Sequence, residues 1–332
     1  MFVYDLRPEA VGREIMSVTK RACGLAIFSA ILLFAIIPVS RAAEQKPGSA
    51  EGKTITLGVV AETNQKQIEA RFKDFVDYLA RKLSSASKLE GRIVLVSTQS
   101  RLANFLSARR ADFYMESPHP THMINNVYGA GKLLLRRWKG GMAEYHAAIF
   151  TTKNGGTKRL EDLQGKIIAF EDPESTSGYF LPKLYLTKKG FKLLQKTQND
   201  AKVSSGEIGY IFAGSQEKLV DSVLTQKVAA GAFSNADHAA LDDSKRSQIT
   251  ILAETASLPR HLVSVRKDLA PDLAKGLEKA LLSMHQDPAG RSILQKADGT
   301  TKFDALPGGE LAVRQRLLDT YYSPQKKNLV DR

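Results

Sequence analysis

From residue 55 onward, short apolar runs alternate with helix-spaced segments, and the alternation occurs twice. Ile55-Thr56-Leu57-Gly58-Val59-Val60 is too short for a buried helix and suits a strand covered on both faces. Residues 65–83 then place Ile68, Phe72, Phe75, Val76, Leu79 and Leu83 at helical spacing. Residues 93–96 predict a second strand, Leu102, Phe105 and Leu106 a second helix ending near Arg109, and residues 111–115 a third strand. The second series has strands at 147–150, 167–170, 228–232 and 249–252. Between them lie a short turn stopped by Gly165, a helix over 178–189 and a helix containing Leu219, Val220, Val223 and Leu224. Beyond residue 267 the spacing is helical only, through Leu273, Leu277, Leu281 and Leu282, then Leu311, Leu317 and Leu318. Such alternation predicts α/β sheets of mainly parallel strands in two lobes, with a cleft between them at the carboxyl ends of the strands.

Residues 1–42 stand apart. Lys20 and Arg21 precede an apolar run from residue 22 to 39, and Ser40-Arg41-Ala42 offers a cleavage site after Ala42. This order predicts a cleaved secretory leader and a periplasmic mature chain, with an uncleaved anchor as the alternative. Met16 is better placed as a start than Met1. Residues 43–52 form a polar lead-in and residues 323–332 a tail. The only cysteine, Cys23, lies in the leader, so the mature form has no thiolate for zinc or for nucleophilic chemistry.

The formal charge is +13. Basic residues are spread among acidic ones, with no arginine-rich tract and no aromatic-basic pattern, so no nucleic acid partner is expected. A basic surface also suits anionic ligands.

The most informative stretch is Phe170-Glu171-Asp172-Pro173-Glu174-Ser175-Thr176-Ser177-Gly178-Tyr179-Phe180-Leu181-Pro182. A strand ends and three hydroxyl residues open a helix, with Pro182 confined to its start. Backbone N–H groups lack partners there and the dipole adds positive charge, so Ser175, Thr176 and Ser177 could hold an oxyanion. Capping accounts for one such residue and poorly for three. Ser215 with Gln216, and Ser100 in Ser97-Thr98-Gln99-Ser100, sit at similar helix openings, where plain capping is the competing role. Tyr179, Trp138 and the pair Tyr145-His146 are aromatic candidates for cleft walls, with core packing as the competing role. Glu116, His119 and His122 invite a metal reading, but Pro118 and Pro120 break helical regularity and no metal is expected. No G-x-S-x-G, H-E-x-x-H or Walker A run occurs, so the chain is read as a binding protein and not an enzyme.

Asp172-Pro173-Glu174-Ser175-Thr176-Ser177-Gly178 followed by Pro182 resembles the signature of the binding proteins of phosphate, phosphite and phosphonate ABC transporters. Similar support comes from residues 55–60, 111–118, 212–215, 257–259 and 265–269, and the likeness spans about residues 53–322. The resemblance implies the type II periplasmic binding fold, two α/β lobes with a hinged cleft between them. Lobe 1 would be residues 53–147 and 253–322, and lobe 2 residues 148–252. It implies that Ser175, Thr176 and Ser177 bind an oxyanion and that Asp237 meets an amino end. Where the family often has His, this chain has Gln216; where it often has Asp, His261 lies nearby; and Glu116 replaces a pocket aromatic. A carboxylate beside a dianion is repelled unless protonated or paired, which favours a related anion or a zwitterion whose amine meets Glu116. The implied partners are that small ligand (phosphonate, phosphite, phosphate or a relative) and an inner-membrane ABC permease. The protein would act as a monomer without a cofactor. A sensor subunit signalling to a membrane kinase is the alternative, and an ester hydrolase a more distant one.

Overall fold

The computed structural model describes residues 54–61, 64–84 and 88–322. The leader, the lead-in and the tail expected from the sequence lie outside the described residues. Fourteen strands form among these residues. The first seven are β1 (Thr54–Val60), β2 (Glu90–Val96), β3 (Phe113–Glu116), β4 (Gly131–Lys139), β5 (Glu144–Tyr145), β6 (Ala147–Thr152) and β7 (Ile167–Phe170). The others are β8 (Lys192–Gln195), β9 (Glu207–Phe212), β10 (Ala230–Ser234), β11 (Ile249–Glu254), β12 (Leu258–Pro259), β13 (His261–Arg266) and β14 (Thr300–Asp304). The helices are α1 (Gln65–Leu83), α2 (Gln99–Ser107), α3 (Pro118–His122), α4 (Leu181–Lys188), α5 (Gln216–Leu224), α6 (Asn235–Ala240), α7 (Asp243–Arg246), α8 (Pro271–Met284), α9 (Pro288–Lys296) and α10 (Gly309–Tyr322).

The strands make two six-stranded sheets, ordered β14-β4-β13-β3-β1-β2 and β11-β6-β10-β7-β9-β8. Each is covered on both faces, as the nearly continuous apolar runs require. In the first sheet, α1 brings Phe72, Phe75, Val76 and Leu79 against Ile55, Leu57 and Phe113, with Leu277 and Leu281 of α8 alongside. Leu102 and Leu106 of α2 close the opposite face with Tyr114 and Ile124. In the second sheet, Leu219, Val220 and Val223 of α5 pack on one face, and Leu186 of α4 with Leu163 on the other.

The expectation of mainly parallel strands is corrected. β1 pairs in parallel with β2 and β3, and β7 with β9 and β10, but β13, β4 and β14 run antiparallel to their neighbours, as do β6 and β11. Apart from the edge strand β14, the antiparallel members are the strands on which the chain arrives from the other sheet or leaves for it. The purely helical reading beyond residue 267 is also incomplete: β14 adds an edge strand in a segment where Thr300, Lys302 and Asp304 mask its single buried aromatic, Phe303.

The chain passes between the sheets twice, and the two passages pair with each other. β5 and β12 form a two-stranded antiparallel ribbon with Tyr145 opposite Leu258 and Glu144 opposite Pro259. The amide of Arg260 donates to the carbonyl of Ala143 at 2.7 Å and extends the pairing. Helix α10 lies over this region. Its Val313 and Leu317 pack with Leu133 and Leu262 beside the first sheet and with Leu181 at the start of α4. Arg316 grips both oxygens of Glu144 at 2.7 and 3.0 Å and the carbonyl of Ser257 at 2.6 Å.

Candidate functional site

The strand β7 delivers the hydroxyl cluster. After Phe170 the chain turns through Asp172, whose carboxylate accepts from the amide of Glu174 at 2.8 Å. It then enters a π-helical turn over Thr176–Phe180 that runs straight into α4, with Pro182 in the first turn, where a missing N–H costs nothing. Ser175 is the cap. Its Oγ accepts from the amide of Gly178 at 3.0 Å and donates to Glu171 at 2.9 Å. Gly178 is required by close approach, since a Cβ there would lie 2.7 Å from the Glu171 side chain and 2.8 Å from Ser175 Oγ.

The hydroxyl of Thr176 meets the other sheet. It lies 2.8 Å from Ser117 Oγ and accepts from the amide of His119 at 2.9 Å. The hydroxyls of Thr176 and Ser177 also face the phenol of Tyr145, which burial pushes up to about 12. The three residues therefore divide. Ser175 holds the turn, Thr176 bridges the sheets, and Ser177 keeps its hydroxyl toward the cavity and Tyr145.

A cavity of about 390 Å³ lies between the sheets. Glu116, Ser175, Thr176, Ser177, Gln216, Asp237 and His261, all expected from the sequence, line it. Ser100, Ser215 and Tyr179 do not line it. Thr98 caps α2 by accepting from the amide of Arg101, which places Ser100 inside the helix and turns Gln99 to the cavity. Ser215 caps α5 by accepting from the amide of Lys218, and Gln216 after it faces the cavity. Tyr179 packs against Phe170, Tyr210 and Phe212, with its hydroxyl bonded to Lys183 at 2.6 Å. Asp237 is committed locally: its carboxylate accepts from the amide and hydroxyl of Ser234 at 3.1 and 2.6 Å. The Gln216 amide, in the orientation that satisfies its donors, gives hydrogen bonds of 3.2 and 3.3 Å to the same carboxylate.

Sequence reasoning missed Lys139, Arg260, Glu171 and Gln99, and weighed Tyr145 only as a wall candidate; all five line the cavity. One signal was available. Along β4 the buried positions run Leu133, Leu135, Arg137, so a cation occupies a place the alternation assigns to an apolar side chain. Arg137 is 1% exposed and bonds Thr300, the carbonyls of Ala297 and Asp298, the Asp298 carboxylate and His261. Lys139 pairs with the same Asp298 at 2.7 Å.

Burial and neighbouring charge shift the ionisable groups of the cavity. Burial and the neighbouring Glu174 raise Glu116 to about 7. Burial, with Asp172 and Asp237 nearby, raises Glu171. Burial, with Arg137, Lys139 and Arg260 around it, pushes His261 well below the usual histidine range. Burial likewise lowers Lys139, against the pull of Asp298.

His119 and His122 are ring partners. His119 stacks on Phe180 at 4.3 Å, and its Nδ1 lies 2.6 Å from the Tyr321 hydroxyl. His122 stacks on Tyr321 at 3.7 Å and shares hydrogen bonds with Tyr322 and Asn126. Burial lowers both to about 4. No group of three or more His, Cys, Asp or Glu among the described residues is arranged to hold a metal ion.

Residues 57–307 match the family described as ABC transporter, phosphonate, periplasmic substrate-binding protein. The phosphate-import protein PhnD of Mycolicibacterium smegmatis is 24% identical over 264 residues, covering 76% of this chain and 79% of that protein. XAC2383 of Xanthomonas citri, solved bound to ATP, superposes with a TM-score of 0.72 at 24% identity, covering 81% of this chain and 95% of that one. PhnD1 of Prochlorococcus marinus in complex with methylphosphonate gives a TM-score of 0.57 at 16% identity, covering 81% and 99%. The shared architecture is the type II periplasmic binding fold.

Proposed function

Because the chain belongs to the phosphonate-binding family of ABC transporter periplasmic substrate-binding proteins, we propose that it delivers a small oxyanion or zwitterion of the phosphonate or phosphate class to an inner-membrane permease. The observation that carries this reading is one cavity walled by both sheets, with the hydroxyl turn at 175–177 on one side and Lys139 and Arg260 on the other. Glu116, Glu171, Asp172, Glu174 and Asp237 line the same space. So many carboxylates repel a plain dianion and reward a ligand that also carries an amine. Residues 53–147 and 253–322 act as one lobe and residues 148–252 as the other, swinging about the β5–β12 ribbon. Ligand contacts made only in the shut form shift the population toward it, and the permease reads that form. The protein works as a monomer after removal of residues 1–42.

Thermal-shift screening tests the reading, using phosphate, phosphite, methylphosphonate, 2-aminoethylphosphonate, sulfonates and amino acids. A ligand at a hundredfold excess over its Kd stabilises the native state by about 2.7 kcal/mol, readily seen as a shift. The expected order places 2-aminoethylphosphonate above methylphosphonate. Shifts with sulfonates or amino acids and none with the phosphorus oxyanions would overturn it.

A further inference from the structure

We propose that Arg260 is an oxyanion-binding residue of the cavity, presenting its guanidinium edge to two oxygens of a phosphonate or phosphate group. The inference rests on the proposed ligand class and adds the residue that recognises it.

The ribbon places this side chain. Arg260 follows β12 directly, and its amide bond to Ala143 sets it beside Tyr145 of β5. Its guanidinium carbon lies 4.5 Å from the centroid of the Tyr145 ring. Tyr145 is 1% exposed, so this face is fixed. Contact with a ring face leaves the guanidinium N–H donors that are not aimed at the ring free for a partner. The phenol of Tyr145 meets the hydroxyls of Thr176 and Ser177. Arg260 and the hydroxyl turn therefore touch one tyrosine and line one cavity.

Charge pairing singles Arg260 out. Arg137, Lys139 and Arg260 all bear on His261. Asp298 compensates two of them, at 3.3 Å from Arg137 and 2.7 Å from Lys139. Arg260 has no carboxylate partner among the described residues, and its Nε is buried with no acceptor in reach. Of the buried side-chain nitrogens in that condition, only Arg260 Nε belongs to a residue lining the cavity. An unsatisfied buried donor on a charged group is costly, and an anion with two coplanar oxygens satisfies it bidentately.

The test is calorimetric titration of wild type, Arg260→Lys and Arg260→Gln with phosphate, methylphosphonate and 2-aminoethylphosphonate. Wild type binds at least one of them. Arg260→Gln weakens that binding about 10- to 100-fold, the loss expected for a hydrogen-bonded charge. Arg260→Lys, which keeps the charge and folds with the same net charge as wild type, recovers only part of it. Equal affinity in all three proteins overturns the assignment of Arg260 and leaves the ligand class standing. No binding by wild type overturns the ligand class, and the assignment with it. Full recovery in Arg260→Lys shows that charge alone suffices and overturns the two-oxygen geometry.

Discussion

Arg137 Nη1 and His261 Nδ1 lie 3.2 Å apart, on residues directly opposite each other where β4 pairs with β13. A guanidinium can only donate, so Nδ1 of His261 must accept, and the ring proton sits on Nε2. His261 thus offers the cavity a neutral N–H donor. Burial and the surrounding cations hold it neutral well below the usual histidine range. The expected outcome is a His261 ring that shows a protonated Nε2 and a bare Nδ1 by ¹⁵N NMR and stays neutral at pH 6.5, where an ordinary histidine is half protonated. A doubly protonated ring at that pH would contradict the geometry.

The hydroxyls of Ser175 and Ser177 predict different losses. Ser175→Ala removes a helix cap and a partner of Glu171, and is expected to cost about 1 kcal/mol of stability in urea unfolding. Ser177 caps no backbone amide of the turn, so Ser177→Ala is expected to cost less stability than Ser175→Ala while lowering ligand affinity. The double variant binds no ligand yet remains folded. If Ser177→Ala binds as wild type does, the turn is not the anion site.

Glu116 makes stability depend on pH. Its native proton is held up to about 7, against an ordinary value of 4.5. Between those values the unfolded chain binds fewer protons than the native state, so stability falls as pH rises. His119 and His122, lowered to about 4 from 6.5, act in the opposite sense and remove stability as pH falls through that interval. Glu116→Gln isolates the first effect. Relative to wild type, the variant should gain about 1–3 kcal/mol on going from pH 5 to pH 7.5, measured by urea unfolding. An unchanged difference would place the Glu116 carboxyl in an ordinary solvated setting.

Tyr321 ties α10 to α3 and to the turn that opens α4. It stacks with His122 at 3.7 Å and with Phe180 at 4.2 Å, and bonds His119 through its hydroxyl. Tyr321→Ala is expected to cost about 2–4 kcal/mol in chemical denaturation, as for other truncated aromatic contacts. Tyr321→Phe keeps the stack and should lose about 1 kcal/mol, the worth of the hydroxyl bond.

The hydroxyl turn was readable in the sequence because its constraints are local: a buried strand, an Asp-Pro turn, a cap and a glycine forced by the Glu171 side chain. The two sheets were readable for a similar reason, since β1, β6 and β7 are nearly continuous apolar runs. Lys139 and Arg260 were not, because their meaning depends on partners far away in the chain. Lys139 looks like the polar end of an exposed strand until Asp298 is placed beside it. Arg260 looks like a loop cation until the ribbon lays it on Tyr145. Tyr179 misled in the opposite direction. It adjoins the hydroxyls in sequence, but the π-helical turn carries its ring to Tyr210 and Phe212 on the far side.

Position relative to the β5–β12 ribbon also sets the order in which contacts form. For the swing proposed above, that ribbon is the fulcrum, and atoms near a fulcrum scarcely travel. Arg260 and Tyr145 sit on it and keep their mutual distance through the whole stroke. Thr176 and the Ser117–His119 segment belong to opposite arms and can touch only at its end. The cationic grip is therefore ready before a ligand arrives, and the threonine latch is thrown last.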